Sequence, residues 1–396
     1  MLKAVLSYPM HPEHGVVTIP FPIPEEDYDH TMELLEGVDI GDVLRQDCYV
    51  VELDSRYPIL KRLEGSAVNV DELDYLAKRL DSFNESEKSQ FQAMAHKLEL
   101  AGIKDLINLT FCCQQATVIT NFSDLEAIGR AHYMNIHGGC TVGEALAGLD
   151  GYETALLLID SGGEVVTPYG VVYDNGMKLE PLYDGRHFPS YLYKSPVMAL
   201  ETVSGSGAEG YFCLPMPDRQ MQRMIKRAGL ENQSFPMRIV MDGLPEKVAE
   251  ALDLESLSLD DISALNRLCR AIEPLKEADI EKLNAIVLTA EPGDITAVCY
   301  LAEHLDRFDF IPDIHTPEEY GRYMIQKSGK FAYDEDLDDF YEYRLYGERC
   351  VREENGRFNE CGYVAYHGIL TIQQLMQIAP AEQHQQEQGL RGLQLC

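Results

Sequence analysis

The sequence predicts an α+β protein, with small mixed units and short helical bundles strung in series as two related halves. Three observations predict it. Apolar residues recur at helical spacing in two separated blocks, Leu73, Leu76, Leu80 and Phe83 in one and Ile262, Leu265, Cys269 and Ile272 in the other. Short extended segments such as "GVVTIPFPI", "CYVVEL" and "MRIVMDG" lie outside those blocks, bounded by turn-forming residues. The segments also recur in one order at a nearly constant offset, as an internal repeat does.

The repeat runs the length of the chain. "FPIPEEDYDHTM" at 21–32 aligns with "LPMPDRQMQRMI" at 214–225. Both carry an apolar-Pro-apolar-Pro-acid pattern, which ends a strand and opens a helix with a carboxylate in its first turn. "ELDYLAKRL" (72–80) aligns with "DISALNRLC" (261–269), and the same offset carries "DLINLTF" (105–111) onto "DITAVCY" (294–300). After a short insertion, "EAIGR" (126–130) meets "EEYGR" (318–322), and "TPYGVVY" (167–173) meets "NECGYVA" (359–365).

Taken in order, residues 1–68 predict an α+β unit with the helix "YDHTMELLE" among extended segments. Residues 69–122 predict a helical unit, and 123–203 an α+β unit that closes the first half with the strands of "EVVTPYGVVYDNG". The second half repeats the order: 204–257 mixed, 258–313 helical, and 314–372 an acidic α+β unit ending in "RFNECGYVAYHG". "SGSGAEG" (204–210) reads as the flexible junction; no Lys-Ser/Thr follows it, as a phosphate loop requires. Residues 373–396 are Gln-rich and aperiodic and read as a flexible tail.

Sixty-six acidic residues against thirty-three basic ones give a net charge of −33. Direct binding of nucleic acid, which needs Lys and Arg to neutralise phosphates, is not expected of such a chain. Basic protein surfaces are the expected partners, and the competing reading is that acidity serves solubility alone. Ten scattered cysteines without a C-x-x-C pair, several inside apolar runs, read as reduced core cysteines. The N-terminal stretch lacks the apolar run of a signal peptide, and no segment is long enough to span a membrane. The expected location is the cytoplasm.

Catalytic and metal motifs are weak. "HPEHG" offers His11 and His14, but with a proline between them and no third ligand in view it reads as a surface turn. "IHGGC" (136–140) reads as a helix-ending Gly-Gly turn and not as a nucleophile site. Asp334, Asp336 and Asp338 have the spacing of a calcium loop, yet Asp339 and Leu345 stand where that loop needs Gly and Glu. The chain is therefore expected to be no enzyme and to carry no cofactor or metal.

The most unusual stretch is "YDEDLDDFYEYRLYGE" (333–348), with seven carboxylates, four tyrosines and one arginine. Leu337, Phe340, Tyr341 and Leu345 recur at i, i+3, i+4 and i+8, which predicts one amphipathic helix anchored by those four. Glu335, Asp338 or Asp339, and Glu342 then form an outward stripe, spaced about 5–6 Å along the axis at ~1.5 Å rise per residue. Upstream, Thr316, Pro317 and Glu319 predict a capped helix start. Downstream, Glu353 and Glu354 precede a helix end at Gly356.

These C-terminal residues, "TPEEYGRYMIQKSG", "LDDFYEYRLYGERCVREENGRF" and "CGYVAYHG", resemble the C-terminal part of the ArdA antirestriction proteins of conjugative elements. The full chain resembles the longer ArdA-like proteins of mobile elements in Firmicutes. The resemblance implies an elongated acidic protein that imitates bent B-form DNA and occupies the DNA-binding groove of type I restriction–modification enzymes. It implies three small units in series and a dimer. ArdA proteins are about half this length, which suggests a covalent pseudo-dimer; positions 1–200 hold 31 acidic and 14 basic residues, the remainder 35 and 19.

The acids expected to face the partner are Asp334, Glu335, Asp336, Asp338, Asp339, Glu342, Glu353 and Glu354, with Glu318 and Glu319. In the first half they are Glu25, Glu26, Asp27 and Asp29. The alternative class is an acidic interaction or regulatory protein of a mobile element that binds a partner through tyrosines and apolar patches without mimicking DNA.

Overall fold

Leu2, Ala4 and Leu6 are buried and their neighbours are less so, the alternation of a strand with one face on a core. This strand, β1 (Leu2–Ser7), pairs antiparallel with β2 (Val16–Phe21) and β3 (Cys48–Ser55). With β4 (Ala67–Val68) the sheet order is β2-β1-β3-β4. The computed structural model describes residues 2–138, 146–204, 207–230, 237–252, 254, 257–330, 332–368 and 371–376.

Helix α1 (Tyr28–Glu36) buries Tyr28, Thr31, Met32 and Leu35, four residues at helical spacing. Three helices follow the sheet: α2 (Val70–Asp81), α3 (Glu85–Lys97) and α4 (Ile103–Leu109). Asn69 and Asn84 open the first two in reciprocal capping boxes with Glu72 and Glu87. Leu73, Leu76, Leu80 and Phe83 are all buried, as their spacing predicts. Next come β5 (Thr117–Ile119), α5 (Leu125–Ile136), α6 (Gly151–Asp160), β6 (Val165–Thr167) and β7 (Gly170–Tyr173), with sheet order β5-β7-β6.

The chain forms two units. The first is Met1–Lys194 with Pro217–Leu230, the second Ser195–Met216 with Glu231–Cys396. Helix α7 (Asp218–Ala228) thus belongs to the first unit although it lies late in the sequence.

In the second unit, β8 (Met198–Ser204), β9 (Gly207–Leu214) and β10 (Met237–Asp242) form a sheet in the order β10-β8-β9. Ser204 pairs with Gly207, so the Gly/Ser stretch read as a junction between halves is the connection of a hairpin. The backbone N–H of Met216 donates to Asn266 Oδ1 at 2.8 Å. Helices α8 (Glu246–Ala251), α9 (Leu259–Ile272), α10 (Glu277–Ala290) and α11 (Ile295–Glu303) follow. Ile262, Leu265, Cys269 and Ile272 of α9 are buried as predicted. The unit closes with β11 (Phe308–Pro312), α12 (Pro317–Gln326), α13 (Tyr343–Glu354), β12 (Arg357–Asn359) and β13 (Gly362–Tyr366), in sheet order β11-β13-β12. Cys140, residues 205–206 of the Gly/Ser stretch and residues 377–396 of the tail lie outside the described residues.

The predicted single helix over 333–348 is replaced by two elements. Glu335–Phe340 is a 3-10 turn, and α13 begins at Tyr343. Leu337, Phe340 and Leu345 are exposed, Phe340 at 80%, and Tyr341 is only half-buried, so these four are not the anchors. The buried face of α13 is Tyr343, Gly347 and Cys350, which recur at i, i+4 and i+7. The contact surface of α13 runs through a glycine, so the largest apolar residues of the stretch do not mark its buried face. Asn355, at φ 53°, takes the left-handed position that ends α13, one residue before the predicted Gly356.

That glycine explains the phase. A Cβ on Gly347 would overlap the Pro317 carbonyl oxygen, and one on Gly321 would overlap the Tyr343 carbonyl oxygen. Backbones of α12 and α13 approach this closely only where neither carries a side chain. Gly129 and Gly151 play the same part between α5 and α6. Among the described residues, no helix is long and apolar enough to cross a membrane. Replacing Gly347 with Ala is expected to destabilise the chain by about 1–3 kcal/mol or more, because the helices must separate. Gly293→Ala, at a position with open space, should change stability by less than about 0.5 kcal/mol. Urea unfolding of both variants checks this; equal midpoints would refute the close-packing account.

Candidate functional site

The acidic segment follows α12 in the chain and is ordered by its own side chains together with Gln326 and Arg322 of that helix. Asp334 accepts a hydrogen bond from the Asp336 backbone N–H at 3.1 Å, a local turn that starts the 3-10 segment. Asp334, Glu335, Asp336, Asp339 and Glu342 are all exposed. Among the described residues none of the five has an ion-pair partner. They are open carboxylates on a folded support.

Asp338 behaves differently, which corrects its expected outward role. Its Oδ1 accepts hydrogen bonds from the Tyr333 hydroxyl at 2.7 Å, from Gln326 Nε2 at 2.9 Å and from the Tyr343 hydroxyl. Arg322 lies 3.4 Å from its other oxygen and stacks over the Tyr343 ring at 4.3 Å. The hydrogen bond from Tyr343, then that from Tyr333, hold the Asp338 carboxyl below its usual range. The same bond pushes the Tyr333 hydroxyl up to about 12. Asp338 is the knot that ties the 3-10 turn to α12 and α13.

Glu354 is likewise an internal acceptor. The hydroxyls of Tyr320 and Tyr363 donate to its Oε2 at 2.6 and 2.7 Å, and their rings stack with centroids 4.0 Å apart. Burial first, and then the Glu354 carboxylate, push both hydroxyls well above the ordinary tyrosine range. Glu319 completes the predicted capping box: its Oε2 accepts from the His315 and Thr316 N–H groups at 2.8 and 3.0 Å. Those bonds lower its pKa, the bond from His315 most of all. Glu318 lies 3.9 Å from Arg322, and Glu353 is 2.8 Å from Arg349.

The first-half acids lie in the other unit. Glu25, Glu26 and Asp27 form an exposed 3-10 turn, and Asp29 sits in the first turn of α1. Lys194 reaches Glu25 at 3.1 Å, and Arg219 reaches Asp29 at 4.0 Å, Glu33 at 3.7 Å and Glu36 at 3.3 Å. Glu26 and Asp27 remain without a cationic partner among the described residues.

Arg219 belongs to a group that sequence reasoning passed over. Arg219, Arg223 and Arg227 recur every fourth residue along α7 and face the first unit. Arg223 holds both oxygens of Asp71 at 3.0 Å and donates to the Gly41 carbonyl at 2.7 Å. Buried Arg227 donates to the Val43 carbonyl at 2.8 Å, to the Tyr183 hydroxyl at 3.1 Å and to Asn69. Tyr183 in turn donates to Glu72 at 2.8 Å. The i, i+4, i+8 arginines were a visible signal, a basic stripe in an acidic chain.

No protein-family model matches the chain, and no curated protein matches it either.

The Asp338 knot makes a pH-dependent prediction. A carboxyl whose folded-state pKa is depressed contributes stability that is complete above its unfolded value, near 4, and is lost as pH falls through the folded value. Wild type should therefore be more stable than Asp338→Asn at pH 7, and the gap should shrink below about pH 4. Urea midpoints measured across that range check it; a gap that stays constant into acid would count against the ionised acceptor.

Proposed function

We propose that this chain is a cytoplasmic, non-enzymatic antirestriction protein that imitates the charge of DNA. Its target is the DNA-binding groove of a type I restriction–modification enzyme or a related defence enzyme. The observation that carries the reading is the set of five open carboxylates, Asp334, Glu335, Asp336, Asp339 and Glu342, held on an ordered segment of a chain with net charge −33. A carboxylate on a folded scaffold presents the charge of a phosphate with little ordering left to do on binding. Duplex DNA carries one charge per ~1.7 Å, so 33 charges correspond to about 55 Å of duplex as an upper bound.

The remaining acids divide by what they touch. Glu26 and Asp27 are open, while Glu25, Asp29, Glu318 and Glu353 are shared with cations and contribute less field. Asp338, Glu354 and Glu319 support the fold. The order of elements supports reading the chain as a covalent pseudo-dimer: β4 apart, both halves run through strand, strand, helix and strand, then a block of helices (three in the first half, four in the second), a strand, two helices and two strands among the described residues.

One observation favours the second reading, an acidic protein-interaction module without mimicry. Leu337, Phe340 and Leu345 are exposed on or beside the same segment, Phe340 most of all at 80%. Exposed apolar side chains beside carboxylates suit a protein partner whose pocket takes an aromatic anchor.

Two experiments separate these readings. Replacing Asp334, Glu335, Asp336, Asp339 and Glu342 together with Lys should weaken inhibition of the target at least about 100-fold, since reversed charges repel a basic groove. Asp338→Lys or Glu354→Lys should instead lower thermal stability. Affinity for the target should also fall at least about tenfold between 50 and 200 mM salt. Affinity flat in salt and lost on Phe340→Ala would favour the second reading.

A further inference from the structure

The turn between β1 and β2 shows a feature that the sequence did not. Pro12–His14 forms a single 3-10 turn, and in that geometry side chains three positions apart eclipse one another. His11 and His14 are three apart. Their rings stack 13° from parallel with centroids 5.1 Å apart. Glu13, between them, turns back so that its Oε1 lies 2.9 Å from His11 Nδ1. One donor atom from each of the three lies within 4.8 Å of the others, so the missing third ligand is supplied by the residue between the two histidines.

A fourth residue supports the group from outside. Asp39, in the connection after α1 and at φ 61°, places Oδ2 3.0 Å from His14 Nδ1. A carboxylate on one ring nitrogen fixes the tautomer and leaves Nε2 as the lone-pair donor, the usual support behind a metal-binding histidine. All four residues belong to the first unit, and none serves the acidic surface discussed above.

We propose that His11, Glu13 and His14 form a site for a divalent transition-metal ion, with Asp39 orienting His14. Two imidazoles and one carboxylate match Zn²⁺ best, with Ni²⁺ and Cu²⁺ as related occupants, and they disfavour Ca²⁺ and Mg²⁺, which take oxygen ligands. Bonds of about 2.0–2.1 Å in a tetrahedral site put donors roughly 3.3 Å apart. The exposed side chains close that distance from 4.8 Å by rotating about their own torsions. Three protein ligands leave one position for water or for a group from a partner.

Zn²⁺ alone, titrated calorimetrically into the untagged, reduced full-length chain, tests the site. Wild type should bind one equivalent that the His11→Ala/His14→Ala double variant loses at least 100-fold in affinity. Asp39→Asn should weaken the same step about tenfold, as removal of an outer carboxylate does. In parallel, Zn²⁺ should shift the wild-type ring-proton resonances of His11 and His14. No saturable binding by wild type up to millimolar Zn²⁺, equal binding by wild type and double variant, or unmoved His11 and His14 resonances would each overturn the proposal.

Discussion

Excess negative charge is the constraint under which the rest of this structure operates. A chain with twice as many acidic as basic residues repels itself when compact, so each carboxylate must be exposed, paired or hydrogen-bonded. The fold uses all three solutions. In the first unit the α7 arginines are committed internally, to Asp71, to backbone carbonyls and to the carboxylates along α1. In the second unit neutral donors act beside the ion pairs: tyrosine hydroxyls converge on Asp338 and Glu354. A tyrosine stabilises a carboxylate without cancelling its charge. Around Asp338 and Glu354 the second unit is tied together by groups that leave the carboxylates charged.

The open carboxylates flank these internal acceptors. The close contact between Gly321 and Gly347 packs α12 against α13. Asp338 pins the middle of the connection between them, and Asp334 turns its beginning. The neighbours Glu335, Asp336, Asp339 and Glu342 are exposed and have no ion-pair partner among the described residues.

Elements whose evidence is local were legible in the sequence. The faces of α2 and α9 followed from apolar spacing, and the Thr316–Glu319 capping box followed from residue types three apart. Features that depend on tertiary partners were not. Residue type alone does not mark Asp338 or Glu354 as internal acceptors; the tyrosines that reach them make the difference, Tyr333 and Tyr343 from five positions away on either side of Asp338 and Tyr320 from 34 positions before Glu354. The phase of α13 was missed because a glycine contact carries no hydrophobic signal, whereas exposed Phe340 and Leu345 carry a strong one. His14 acquires Asp39 only once the hairpin and α1 are in place.

The central claim is that the acidic surface occupies a groove built for DNA, and competition tests it most directly. Binding of the chain to a purified type I restriction–modification complex would be measured at fixed ionic strength against rising concentrations of duplex DNA. The account predicts mutual exclusion, with the apparent Kd of the chain rising in proportion to DNA occupancy. Binding that is unchanged at saturating DNA would contradict it.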